Sequence, residues 1–318
     1  MGTRKTLEIL TPGPLTTVQD LGRYGYGRYG VPSSGALDAF SLRIANLLVG
    51  NKEDEAGLEI TLLGPKVKAL TDCTIAITGA DLQPQLNGKP LQMWGSHIMR
   101  HGDILYFRGP QSGCRAYLAI GGGISVTPVM GSKSTNLTSH FGGYEGRPLQ
   151  QGDILRTDSP HHYLKAEARA FDPAWIPSYS KDYLLRVLPG PQDEDFAEDT
   201  KEQFLETPFD VTPQSDRTGI RLAGPGIQKK TGMQESIISE GVVPGTIQVP
   251  GGAQPIIILV ETITGGYRKI ATVISADLPL LGQIKPGDTV SFKAVSMEQA
   301  LEALEHIENV IRMFKDRL

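Results

Sequence analysis

The sequence predicts a mainly β protein: two tandem barrels of similar plan, few helices, and an amphipathic helix at the C-terminus. Three observations predict it. The chain sets 37 glycines and 22 prolines among short Val/Ile/Leu runs, the composition of a backbone that turns often. Those runs recur at intervals near the ~8–12 residues of sandwiches and barrels, and closure would remove the open edges that short strands leave. Five landmarks also recur in the same order in both halves, as in two copies of one fold that diverged by loop insertion.

Taken in chain order, an apolar strand running into Pro-Gly-Pro is read at 7–14 (LEILTPGP) and again at 184–191 (LLRVLPGP). A strand ending in Gly-Pro follows at 58–65 (LEITLLGP) and 219–225 (GIRLAGP). A turn and strand come next, HGDILYF at 101–107 and PGTIQVP at 244–250. Then a glycine-bearing loop meets an apolar strand, SGCRAYLAIGGGI at 112–124 and GGAQPIIILV at 251–260. Each half ends on a Gly-Asp strand, QGDILRT at 151–157 and PGDTVSF at 286–292.

Two helices interrupt this pattern. LDAFSLRIANLLVG carries Leu37, Phe40, Ile44, Leu47 and Leu48 on one stripe, with Ser34 as N-cap and Gly50 as the stop. From Ser296 a capping box, Ser296-x-x-Gln299, opens a stripe of Leu301, Leu304, Ile307, Ile311, Phe314 and Leu318. Polar residues with Pro173 and Pro177 break periodicity between 158 and 182. The domains expected are therefore 1–165, 166–295 and a terminal helix, 296–318.

Lys and Arg total 31 against 35 Asp and Glu, so no general attraction to nucleic acid or an anionic membrane is expected. The start, MGTRKTLEILTPG, lacks a signal-peptide core, and no apolar run reaches the ~18 residues of a membrane span. A cytoplasmic protein is expected. Cys73 and Cys114, each beside strand-like sequence, read as buried thiols.

The richest stretch is 261–277, ETITGGYRKIATVISAD, a glycine-hinged turn bearing Thr264, Tyr267 and Lys269 that runs into a β-branched strand. Gly265 and Gly266 permit close backbone approach, and a rigid strand would present Tyr267 and Lys269 on one face, with Arg268 on the other. The same residues also fit a hairpin turn with solvent-facing Tyr and Lys.

Residues 19–51 form the densest polar, glycine-rich segment and could present Gln19, Asp20 and Arg23 to a ligand. Asp20 could equally cap backbone amides there, with Arg23 paired to a carboxylate. Gly25, Gly27 and Gly30 satisfy G-x-G-x-x-G only formally, since Pro32 and a turn stand where a helix should open. GSKST at 131–135 lacks the first glycine of a phosphate-binding loop. The histidines (His97, His101, His140, His161, His162 and His306) show no zinc spacing, so no metal site is expected. In Ser215-Asp216-Arg217 the guanidinium could fork onto a substrate carboxylate or pair with Asp216. Gln248 and Gln254 add amides to the same half.

Together these segments resemble the allophanate hydrolase subunit 2 and kinase-inhibitor-antagonist group, identified with the C subunit of 5-oxoprolinase. QDLGRYGYGRYGVPSSGALD, LEITLLGP, AIGGGI, SDRTGIRLAGP, SEGVVPGTIQVP and TGGYRKIATVISADL carry the resemblance across nearly the whole chain. It implies two cyclophilin-like β-barrels and kinship with the carboxyltransferase domain of urea carboxylase. It also implies one component of an ATP-dependent 5-oxoprolinase, active only with the enzyme's A subunit, together with a B subunit homologous to the kinase inhibitor. The complex would open the lactam of 5-oxoproline to glutamate, with ATP bound alongside a partner protein.

Two alternatives follow from the same resemblance. One is a biotin-dependent carboxyltransferase component acting on urea or another small amide, with biotin on a separate carrier. The other is a non-enzymatic antagonist of a sporulation kinase inhibitor. Carried onto this sequence, the resemblance implies Asp20, Tyr267 and Lys269 as catalytic residues, Lys269 as electrophile and Asp20 as the orienting or basic carboxylate. Gln19, Arg23, Ser215, Asp216, Arg217, Gln248, Gln254 and Thr264 are the implied substrate contacts. The family commonly reads Thr-Gly-Gly-Tyr-Pro-Lys here, with an Asp and a Gln shortly before it, whereas this sequence has Arg268 in the Pro place and carries Glu261 and Ile263 in the residues before.

Overall fold

All ten landmark segments contain strands in the computed structural model of the chain, which describes residues 3–158 and 168–318. The expected boundary at 165 and 166, like His161 and His162, lies outside the described residues. Two compact units are distinguished: residues 1–24, 34–179 and 310–318, and residues 25–33 and 180–309. Four α-helices occur among the described residues, in a chain that is otherwise mainly β.

The first unit is built of two sheets. Six strands run in the order Ile154–Thr157, Arg4–Thr11, Lys66–Ala69, Ile104–Phe107, Pro84–Leu86 and Lys89–Pro90. Five more run Leu15–Gln19, Gly57–Thr61, Ser112–Ile120, Cys73–Asp81 and Ser96–Met99. Alternate residues of both sheets, among them Leu7, Ile9, Val67, Leu105, Ile60, Ile75, Ile77 and Leu118, meet in one buried cluster. Strands Cys73–Asp81 and Ser112–Ile120 are buried along almost their whole length because helix α1, Ala39–Leu48, packs against them. A sheet covered on both faces reads as a continuous apolar run, as TIAI and AYLAI do.

Helix α1 is capped by Asp38 instead of Ser34. Ser34 lies at φ 51° and Gly35 at φ 94°, so the chain is still in left-handed geometry there and cannot open a helix. The Asp38 carboxylate instead accepts from Ser41 N (2.8 Å) and Ser41 Oγ (2.7 Å). Asp38 N donates to the Tyr117 hydroxyl (2.8 Å), which donates to Glu59 Oε2 (2.8 Å). Burial pushes the Tyr117 phenol well above its usual range, with Glu59 and Asp38 adding to the effect.

The second unit holds a closed barrel. Its order is Asp182–Pro189, Arg268–Val273, Thr246–Val249, Ile256–Ile258, Gly219–Ala223, Phe209–Val211 and Thr289–Ala294, the last pairing back to the first. Helix α2, Glu198–Glu206, has almost no apolar stripe in sequence; Phe204 alone is buried, stacked on Phe292 at 4.5 Å. Helix α3, Leu278–Leu281, is a single turn, and helix α4 spans Met297–Lys315. The capping box forms reciprocally, Ser296 N to Gln299 Oε1 (3.0 Å) and Gln299 N to Ser296 Oγ (3.2 Å). In this unit Ala300, Ala303 and Ile307 of α4 pack with Leu188, Ile274 and Ala276. In the first unit the end of α4 sets Phe314 edge-on to Phe171 at 5.0 Å. Leu301 and Leu318, expected on the apolar stripe, are exposed.

The halves share part of their pairing. In both, the second landmark strand pairs antiparallel with the fourth, and the first pairs with the fifth. That last pair is antiparallel in the first unit and parallel in the second. The third landmark also has different neighbours in the two units. HGDILYF and PGTIQVP match through their glycine turns, and turn chemistry does not set sheet order.

Both cysteines are buried thiols outside any disulfide. Burial, helped by Asp72, pushes the Cys73 thiol up to about 12. Thiol reagents attack the thiolate, so Cys73 is expected to resist a disulfide reagent at pH 8 until the chain is unfolded. Rapid labelling of the native protein, read by mass spectrometry, would contradict this.

Candidate functional site

At the end of strand Leu15–Gln19 the first unit gathers its polar residues on one carboxylate. Asp20 Oδ1 accepts from Gly22 N (2.8 Å), Ser132 Oγ (2.7 Å) and Ser134 Oγ, while Oδ2 accepts from Lys133 N. The GSKST turn is therefore wrapped around Asp20. With its oxygens taken up by four donors, Asp20 is placed to orient this loop rather than to abstract a proton. Lys133 Nζ pairs with Glu55 at 2.5 Å. A phosphate does not fit this turn, because its lysine and both serine hydroxyls already face carboxylates.

Gln19 is fully buried and donates to Thr17 Oγ1 (3.0 Å) and the Thr135 carbonyl (3.2 Å). Its Oε1 has no hydrogen-bond partner among the described residues. Arg23 donates to the Ser134 carbonyl and lies 4.7 Å over the Phe141 ring, a cation–π contact where a carboxylate was one expectation. At Gly142, φ 69° and a Cβ that would fall 2.2 Å from the Ser134 carbonyl leave glycine as the residue that fits.

Replacing Asp20 by alanine strips an acceptor from two hydroxyls and two backbone N–H groups at once. A loss of roughly 3 kcal/mol is expected, since hydrogen bonds to a charged group contribute about 1.5–3 kcal/mol and are not additive. Urea unfolding checks it, and a change below about 0.5 kcal/mol would show that the loop stands without the carboxylate.

The second unit assembles a different cluster. Lys269 is 3% exposed, and its ammonium pairs with Glu240 and lies 3.5 Å from Gln192 Oε1. Gln192 Nε2 donates to the same Glu240 oxygen at 2.7 Å. Hydrogen bonds from Lys269, then from Gln192, hold the Glu240 carboxyl below its usual range. Glu240 belongs to a two-stranded ribbon, Glu240–Gly241 against Thr264–Gly265. Gln248 stands opposite Lys269 in the barrel ladder, buried, with Nε2 lacking a partner among the described residues. A Cβ on Gly265 would come within 2.0 Å of that nitrogen, so the glycine lets the ribbon lie on the Gln248 amide.

Several expectations are corrected here. Lys269 is buried and ion-paired, not a free ammonium at a solvent-filled mouth. Arg268, expected on the opposite face, is 7% exposed, paired with Asp195 at 2.7 Å and donating to the Gln234 carbonyl at 2.6 Å. The strand is covered on both sides, and its register shifts beside Gln248, so simple alternation does not sort its side chains. Tyr267 is 40% exposed and Thr264 is exposed.

Arg217 pairs with Glu261 at 3.2 Å, and Asp216 Oδ1 caps Thr218 N (2.7 Å) and Gly219 N (3.2 Å). Ser215 Oγ accepts from Arg221 N (3.0 Å), and Gln254 pairs through both amide atoms with the Gly224 backbone. Of the expected site residues, the structure thus sets Gln248 opposite Lys269, places Thr264 on the ribbon whose Gly265 lies on Gln248, and fixes Ser215, Asp216 and Gln254 in turns. Gln192 and Glu240 complete the cluster and were not among the expected contacts. Gln192 directly follows the repeated Pro-Gly-Pro landmark, a signal that it stands at a strand mouth.

Among the described residues no three His, Cys, Asp or Glu side chains gather as a metal site, and no helix is long and apolar enough to cross a membrane. A buried ammonium ringed by amides can hold an anion or polarise a carbonyl oxygen.

Comparison with known proteins is consistent across the chain. The C subunit of the Escherichia coli 5-oxoprolinase is 38% identical over 313 residues, 98% of both chains. That of Haemophilus influenzae is 34% identical over 92% of this chain and 93% of its own. The crystal structure of Kluyveromyces lactis urea carboxylase superposes with a TM-score of 0.92 at 35% identity, covering 99% of this chain and 29% of that one. The carboxyltransferase domain family, subdomains A and B, matches residues 29–294. Sharing that domain over most of its length, and aligned end to end with the C subunits of two 5-oxoprolinases, the chain belongs to the carboxyltransferase domain family.

Proposed function

We propose that the chain is the C subunit of an ATP-dependent 5-oxoprolinase, working with homologues of that enzyme's A and B subunits to open the lactam of 5-oxoproline to glutamate. The observation that carries this is the match to two 5-oxoprolinase C subunits over almost their whole extent. The chain matches the Escherichia coli protein over 98% of its extent but only 17% of the urea amidolyase of Saccharomyces cerevisiae.

In this proposal Lys269 and the amides of Gln192 and Gln248 bind the substrate's polar atoms, Tyr267 flanks them, and Asp20 holds the first unit's loop in shape. ATP is bound alongside a partner protein, since the GSKST turn does not fit a phosphate. A second proposal, a carboxyltransferase component acting on urea or another small amide, draws on the family match and the 0.92 TM-score to urea carboxylase. Biotin would then arrive on a separate carrier protein.

The purified chain alone is expected not to hydrolyse 5-oxoproline, and mixing it with homologues of the A and B subunits is expected to give ATP-dependent glutamate formation. Robust turnover by the single chain would overturn the multi-subunit proposal. Carboxylation of urea with a carboxybiotin carrier, without 5-oxoproline turnover, would favour the second proposal.

A further inference from the structure

We propose that Lys269, Gln192 and Gln248 form a binding subsite for a small carboxylate, and that Glu240 is its built-in occupant, displaced when the ligand's carboxylate enters. The inference deepens the role given to Lys269 above. It rests on that role only for the identity of the ligand.

Among its described residues the second unit sets three buried cations next to carboxylates, and their partners differ in a way that decides which can exchange. Arg217 meets Glu261, whose side chain is 1% exposed, so the pair is sealed. Arg268 meets Asp195, 23% exposed, and is also tied to the Gln234 carbonyl. Lys269 meets Glu240, whose side chain is 45% exposed although the lysine's is only 4% exposed. A half-exposed carboxylate can swing into water and recover its hydration, whereas a sealed one cannot.

The ribbon that carries Glu240 contributes two residues per strand, too short to hold the side chain rigidly. What Glu240 leaves behind is shaped for another carboxylate. The Lys269 ammonium and the Gln192 N–H already converge on one of its oxygens. Gln248 Nε2, buried opposite Lys269 in register and beneath Gly265, is a donor still lacking an acceptor among the described residues. A buried unmet donor costs free energy that a second oxygen would recover. A ligand carboxylate takes the two donors that Glu240 leaves and, as the ribbon carrying Glu240 moves off, the Gln248 donor beneath Gly265.

Charge sets the ligand class. Displacing a carboxylate from an ammonium takes another anion, so a neutral urea or amide does not open this subsite. Arg217, which could have held a substrate carboxylate, is already committed to Glu261, leaving Lys269 as the exchangeable cation of the three.

The test is isothermal titration calorimetry on the full chain with acetate, with 5-oxoproline and with the primary amide of 5-oxoproline. Both acids are expected to bind and the amide not to. Glu240→Ala is expected to bind the acids about fivefold more tightly, the factor that matches removal of a half-exposed ion-pair competitor. Lys269→Met is expected to lose binding, with circular dichroism as its folding control. Because Glu240 lies on an exposed ribbon, Glu240→Ala keeps the inference open to refutation even where Lys269→Met fails to fold. Equal affinity in wild type and Glu240→Ala, equal binding of acid and amide, or no acid binding by either protein overturns the subsite. An assembly that turns over urea but not 5-oxoproline, while acetate binding still depends on Glu240, overturns the 5-oxoprolinase proposal and leaves the subsite standing.

Discussion

Lys269→Ala is expected to lower kcat/KM of the reconstituted assembly roughly 10²–10³-fold, with a loss of about 2–3 kcal/mol in stability from emptying the space of its buried stem. The magnitude is that of losing one preorganised, largely water-excluded charge contact to the substrate. The charge left behind adds little to that cost, because Glu240 is half-exposed and can hydrate. Arg268→Ala provides the contrast. Its guanidinium is buried against Asp195 and the Gln234 carbonyl, so its removal is expected to appear first as lost stability. Steady-state kinetics paired with thermal unfolding of both variants separates the two. Unchanged kcat/KM in Lys269→Ala would leave the Lys269 cluster as structure alone.

The largest effect on stability is expected at Arg217 and Glu261. Their side chains are 4% and 1% exposed, and removing one member of such a pair leaves a charge buried without its counterion. Either Arg217→Ala or Glu261→Ala is therefore expected to cost roughly 3–5 kcal/mol. The double change Arg217→Met with Glu261→Leu is expected to be far milder, because apolar residues of similar volume avoid the desolvation penalty of both charges. Urea denaturation of the two single variants and the double variant decides it. Single losses below about 1 kcal/mol would mean that water reaches the pair.

The mainly β class was legible because it is written in local signals: glycine and proline at turns, β-branched runs between them, and the Ser296–Gln299 capping box. Helix α2 was not, since its one buried side chain, Phe204, leaves no periodicity to read. The site was legible only in part. The hinge at Gly265 and Gly266 drew notice to Lys269, yet its neighbours on the chain did not disclose that Glu240 and Gln192 would meet it. Those contacts link positions 29 and 77 residues away, and sequence spacing carries no record of barrel register. The loop at Asp20 shows the same limit: its partners at Ser132, Lys133 and Ser134 lie more than 100 residues on. Glu261 became intelligible only once Arg217 was seen beside it.

The barrel of the second unit is sealed by a parallel pairing of Asp182–Pro189 with Thr289–Ala294. During synthesis the first of these strands emerges about 100 residues before its neighbour exists. At roughly 5–20 residues per second that is a wait of about 5–20 s, long compared with the microseconds in which a hairpin forms. Throughout that interval the strand's apolar side chains and one row of its backbone donors and acceptors have no permanent partner. The ribosome's clock, rather than the chain's own folding rate, therefore sets the earliest moment at which this unit becomes complete. A chain cut short before residue 289 would hold Gln192, Glu240, Gln248 and Lys269 and still lack the strand that closes the barrel carrying them.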